Sequence, residues 1–177
     1  MFFLLQCLVL LLSTRSGVDQ SVSYIEWNAS RRLDWNDFKA YPPKNPPAAA
    51  LTSTDIKIDF GYYNESLQFH IRCRFDKEAS WGFVKNDYVL AHEQGHFDIT
   101  EIYSRKLNAA LKKYVPEPST LKYDVNKIYQ DMMKEYYDRQ NQYDHETNFS
   151  IDHSKQESWL NKIRDELEEL KDDANYH

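Results

Sequence analysis

The apolar pattern of this chain changes its period partway along. Ile56, Ile58 and Phe60 alternate with Lys57 and Asp59. After the polar stretch GYYNES, Leu67, Phe69, Ile71, Cys73 and Phe75 alternate with Gln68, His70, Arg72 and Arg74. A period of two, interrupted by turn residues, predicts a β-hairpin with one buried face. Cys73 then belongs to the core and His70 to the polar face. From Asn86 to Tyr114 the apolar spacing becomes helical, with Leu90, Phe97, Ile102, Leu107 and Leu111 contributing. Asn86 or Asp87 can cap this helix, and VPEP ends it, because proline cannot continue a helix. A second helix is expected from Ser119 or Thr120 to about Gln142, on the stripe Leu121, Val125, Ile128, Met132 and Tyr136. A third starts near Asp152 or Ser154, with Trp159, Ile163, Leu167 and Leu170 turned inward. Strands followed by helices predict an α+β fold, a small antiparallel β-sheet packed against one long helix plus two further α-helices.

The 177 residues suffice for one domain with a core, and no internal repeat divides them. Residues 18–50 read as an irregular arm. It contains Pro42, Pro43, Pro46 and Pro47, and Trp27, Leu33, Trp35 and Phe38 are its expected anchors. Residues 18–177 are thus one domain. Residues 1–17 read as a signal peptide. The apolar run Phe2–Leu12 is too short to span a bilayer, and the small residues Thr14, Ser16 and Gly17 follow it. Export to the periplasm or the outside is the expectation, with no stable membrane span after cleavage. Only Cys73 would remain, so no internal disulfide is expected.

Several function classes are excluded. The net charge is −6, and no basic cluster suggests nucleic acid as a partner. With 4 glycines the chain has neither GxxxxGK[ST] nor GxGxxG.

The long helix carries LAHEQGHFDI, residues 90–99, with two of the six histidines. Each helical residue advances about 100°, so His92 and His96 lie about 40° apart, one turn above the other. Their imidazoles can converge on one ion. Glu93 sits beside them, within reach of a water on that ion but off the ligand face. This is the mechanics of H-E-x-x-H. Zn²⁺ so held lowers the pKa of its water to about 7, and Glu93 serves as general base. Gly95 costs about 1 kcal/mol against alanine inside a helix, so something is expected to pass close beside it. Asp98 and Glu101 point away from His96, whereas Tyr103 shares the histidine face and could line a cleft.

Two histidines need a third ligand. The H-E-x-x-H-x-x-G-x-x-H pattern is absent, because Ile99 and Ile102 occupy its glycine and its last histidine. The richest second cluster is QYDHETNFSIDHSKQESW, where Asp144, His145, Glu146 and His153 crowd an expected helix-to-helix junction.

These segments resemble, in order, the DUF922 family of predicted secreted zinc-dependent proteases, in the form common in Bacteroidetes-type bacteria. The matching pieces are LDWNDF (33–38), AALTST (49–54), SW (80–81), LAHEQGHFDITEIYSRKL (90–107), YDHET (143–147), and Gln156 with Trp159. The resemblance implies an exported, zincin-like metalloprotease domain with its motif on a helix. It also implies a histidine two residues after Thr147, as third ligand, where this chain has Phe149. His153 is then the first choice of ligand and Glu146 the next, with Asp144 and His145 as alternatives. The function expected is a zinc-dependent peptidase or amide hydrolase acting on a peptide or protein. The alternative is a catalytically degraded, non-enzymatic cell-envelope binding protein on the same scaffold, using aromatics such as Tyr62, Tyr63 or Tyr103. Nothing in the sequence sets an oligomeric state.

Overall fold

The alternating segment forms the expected hairpin. In this computed structural model, which describes residues 23–176, strands β3 (Thr54–Tyr63) and β4 (Ser66–Asp76) pair antiparallel, with Ile56 opposite Cys73 and Ile58 opposite Ile71. Asn64 and Glu65 make the two-residue turn with φ of 48° and 60°. Left-handed backbone at both central positions is what the right-handed twist of paired strands requires. The signal-peptide reading of residues 1–17 lies outside the described residues.

The arm is less irregular than its sequence suggests. β1 (Tyr24–Glu26) pairs antiparallel with β4, completing a three-stranded sheet in the order β1-β4-β3. β2 (Ala50–Leu51) pairs with β5 (Trp81–Gly82) in a separate two-stranded ladder. Strands of two or three residues are too short to show a period. The arm's anchors behave as expected. Leu33 and Phe38 are buried, and Trp27 and Trp35 pack against the core.

Helix α1 (Asp87–Lys113) runs through the middle of the molecule, capped by the Asn86 side chain on the Val89 N–H. The apolar face of the sheet covers one side of it. Phe38 meets Phe75 at 5.1 Å, and Phe75 meets Phe97 at 5.8 Å. Helices α2 (Leu121–Glu146) and α3 (His153–Glu169) pack on other sides, and a 3-10 turn, Lys171–Asp173, closes the far end. Among the described residues the architecture is α+β, with three helices and a small antiparallel sheet. No helix among the described residues is long and apolar enough to cross a membrane.

Because α1 is enclosed on several sides, its polar residues must find partners inside the protein. Gln94 accepts from the Leu33 N–H at 2.7 Å and donates to Asp98. Asp98 also accepts from Trp27 Nε1 and Arg32. Glu101 pairs with Arg105 and accepts from the Tyr176 hydroxyl. Thr100 donates to Thr54. These contacts tie the arm and the C-terminal segment to the central helix. Asp98 and Glu101 are thereby committed to structure, away from the histidine face.

Helix α2 departs from expectation in one respect that matters. It continues through Glu146, past the expected end near Gln142. Of the residues read as a junction, Asp144, His145 and Glu146 belong to its last turn, and His153 opens α3. Asp144 therefore stands one turn beyond Gln140, on the side that faces α1.

Candidate metal centre

The site is built from two helices. α1 supplies His92, Glu93 and His96, and α2 supplies Gln140 and Asp144 at helical i, i+4 spacing. His92 Nε2 lies 3.1 Å from Asp144 Oδ1, His96 Nε2 lies 3.1 Å from the same oxygen, and the two Nε2 atoms are 3.2 Å apart. His92, His96 and Asp144 form a group that could hold a metal ion. A tetrahedral zinc with bonds of about 2.0–2.1 Å sets its ligand atoms about 3.3–3.4 Å apart. The triangle is within a few tenths of an ångström of that spacing, and two imidazoles with one carboxylate are a familiar zinc donor set. The residues fit the ion.

Other groups fix the two rings. His96 Nδ1 is 2.6 Å from Gln140 Oε1, and Gln140 Nε2 donates to the His96 carbonyl at 2.9 Å. With the carboxamide oxygen accepting from Nδ1–H, the lone pair of His96 is left on Nε2, toward Asp144. A partner on the distal nitrogen is the usual means of setting the tautomer of a ligating histidine. His92 is held differently. Its Nδ1 is buried and has no hydrogen-bond partner, and its ring stacks on Tyr143 at 4.5 Å and 18°. Tyr143 in turn donates to the His92 carbonyl.

Electrostatics favour the ligating forms at His92 and Asp144. Burial pushes the His92 pKa down, toward neutral imidazole. Burial alone would raise Asp144, but hydrogen bonds from His92 and His96 hold its carboxyl well below the usual carboxylate range. Burial would also lower His96, yet Asp144 more than offsets this and raises it. The three groups behave as one coupled unit.

Glu93 differs from every other acid on α1. It is 4% exposed, lines the same cleft as the histidines, and has no hydrogen bond or ion pair with any described residue. An acid that opens onto the cleft beside the histidines, engaged by no described residue, is a candidate for proton transfer there. The cleft has a volume of about 560 Å³; residues 47–54 form one stretch of its lining, with Tyr137, Phe149 and Ser150 also lining it.

The other residues proposed from sequence fall outside the group. His153 is exposed at the first turn of α3, its ring stacked on Tyr88 at 3.8 Å. His145 follows Asp144 on α2 and is turned to solvent. Glu146 is exposed and accepts from Trp159 Nε1 and Gln142. Phe149 lies at the cleft and not in the core. Tyr103 is buried against Tyr136 rather than lining the cleft, whereas Tyr62 and Tyr63 are exposed near the hairpin tip. Gln140 and Tyr143 were not singled out by sequence. Both continue the stripe through Tyr136 by steps of three or four; Gln140 lay within the expected helix, and extending it would have added Tyr143.

Comparison with known proteins agrees with the segment matches. Residues 19–153 match the family model DUF922, described as a bacterial protein of unknown function. The chain belongs to that family. No curated protein and no solved structure matches it.

Proposed function

We propose that this DUF922 protein is a zinc-dependent hydrolase of peptide or related amide bonds, acting in the cell envelope or outside the cell. One observation carries the reading. His92, His96 and Asp144 converge to within ligand spacing beside an unpaired, buried Glu93 in one cleft. His92 and His96 would hold the ion through Nε2 and Asp144 through Oδ1. A bound zinc supplies Lewis acidity, polarising a substrate carbonyl and making water a stronger acid.

The rest of the chemistry belongs to the protein. Among the described residues no donor competes for the Glu93 carboxylate, so it is free to take a proton from the attacking water. It then passes that proton to the amide nitrogen as the C–N bond breaks. Gln140 keeps the His96 proton on Nδ1 throughout, so the ring does not change tautomer. Tyr143, whose hydroxyl is held neutral chiefly by burial, stacks on the His92 ring and meets the His96 ring edge-on.

The test is elemental analysis of the purified mature protein, followed by peptide hydrolysis. The expected result is about one zinc per chain, lost in His96→Ala. Glu93→Gln should keep the zinc and lose hydrolysis by a factor of 10² or more, since general-base catalysis contributes about 10²–10⁴. A folded wild-type protein without zinc, or with iron in its place, rejects the reading. Full activity in Glu93→Gln rejects Glu93 as the base.

A further inference from the structure

Three consecutive residues at the end of α2 have left-handed backbone, and none is glycine. Asn148, Phe149 and Ser150 have φ of 49°, 52° and 68°. Each such residue costs roughly 1–2 kcal/mol, and an aromatic side chain is among the least suited to it. The surrounding hydrogen bonds hold the turn in place. The Phe149 N–H donates to the Asp144 carbonyl at 2.8 Å, and the Asp152 N–H to the Thr147 carbonyl at 2.9 Å. Thr147, fully buried, donates through its hydroxyl to the Tyr143 carbonyl. The turn is thus locked onto the residues that present Asp144.

The result is a phenylalanine that meets the ring of His145 at 6.3 Å and otherwise stands half exposed at the cleft. Phe149 is 49% exposed and lines the cleft. Leu51, 43% exposed, and Tyr137, 59% exposed, line the same cleft. A core role does not account for large apolar side chains so exposed, and glycine or asparagine would make the turn at lower cost. Strain held at a cleft beside a reactive group is characteristic of ligand-contacting segments. The stretch 47–50 in the lining is Pro-Ala-Ala-Ala, whose short side chains leave room for an occupant.

We propose that Phe149, Leu51 and Tyr137 form an apolar subsite for a large hydrophobic side chain flanking the amide bond that is cleaved. The inference rests on the hydrolase reading and names its substrate class, peptide segments with leucine- or phenylalanine-like residues. Phe149 is the specificity-determining residue. Its N–H is bonded to the Asp144 carbonyl, so a side chain seated against it is registered relative to the ligand triangle.

The experiment uses the mature zinc-loaded protein and two peptide series that differ only in carrying leucine or glycine beside the cleavable bond. Cleavage sites are read by mass spectrometry, and kcat/KM is measured for each. Wild type is expected to favour the leucine series. Phe149→Ala should lower the leucine-to-glycine ratio of kcat/KM by about tenfold or more, the scale of a lost apolar contact. Tyr137→Ala should lower the same ratio to a smaller degree. No preference in wild type, or an unchanged ratio in Phe149→Ala, overturns the subsite. If zinc is absent or neither series is cut, the hydrolase reading fails by itself. Calorimetric binding of the same peptides to wild type and Phe149→Ala then decides the subsite, and equal affinities reject it.

Discussion

Gly95 and Tyr143 are in direct contact across the two helices that build the site. A β-carbon on Gly95 would lie 2.5 Å from the Tyr143 hydroxyl oxygen and 2.9 Å from the ring carbon that bears it. Tyr143 is fully buried and in ring contact with His92, His96 and Trp159, so it has nowhere to move. This accounts for a glycine in the middle of a long helix. Gly95→Ala should gain helix propensity and nevertheless weaken the centre, because displacing Tyr143 moves its neighbour Asp144. The expected outcome is a folded protein whose zinc affinity falls tenfold or more in competition with a chelator. An affinity within twofold of wild type would show that the contact is slack.

Gln140 should matter chiefly through His96, with a longer bond of 3.3 Å from its Nε2 to Thr100 Oγ1 beside it. Its carboxamide holds both the Nδ1 atom and the carbonyl of His96. Gln140→Leu keeps the size and removes these bonds. Loss of a group that orients a ligating histidine costs about 10–100-fold in metal affinity. Far-UV circular dichroism should be unchanged while the zinc dissociation constant rises into that range. A wild-type constant in the variant would mean that packing by itself orients His96.

The identity of the third ligand separates cleanly by substitution. Asp144→Asn retains the shape and removes the charge, and its zinc content after dialysis should fall to a small fraction of one per chain. His153→Ala and His145→Ala should each retain about one zinc. Loss of zinc in His153→Ala would place that residue at the centre despite its stacking on Tyr88.

Much of this arrangement was legible in the residues. The hairpin and all three helices followed from apolar period, and His92, Glu93 and His96 from motif geometry. What failed was a boundary. The stripe through Tyr136 was stopped near Gln142 because the following residues are polar and carry cap-like aspartates. Helix α2 persists to Glu146 because Tyr143 is buried against α1 and Trp159, which outweighs local propensity. Ending the helix early left Asp144 as one of several junction residues, and the resemblance, through Phe149, pointed to His153 first. The short strands β1, β2 and β5 were missed for another reason, since their pairing depends on distant partners that no local pattern reveals. Phe149, where the resemblance implied a histidine, lines the cleft beside the ligand group.

Asp37, in the LDWNDF segment, supports a stability prediction with a definite sign. Its carboxylate accepts from Arg31 at 2.7 and 3.1 Å and from the Asp34 N–H at 2.9 Å. Burial works against the charged form, yet these bonds prevail and hold its pKa below the ordinary aspartate value. An unfolded aspartate titrates near 3.9, roughly. With the folded value lower, the stabilisation is fully present above the unfolded pKa. It is lost as pH falls through the folded one. Asp37→Asn should therefore cost about 1–3 kcal/mol at neutral pH, the scale of hydrogen bonds to a charged group. That difference should shrink toward zero at an acid pH below the folded pKa, where wild type is itself protonated. Urea unfolding of both proteins at the two pH values checks this, and a gap that does not change with pH would assign the effect to packing. The consequence reaches the site, because the same turn presents the Leu33 N–H to Gln94 on α1, next to Glu93. Asp37→Asn should then also loosen zinc, though by less than Gln140→Leu, since it acts through the brace on the helix and touches no ligand.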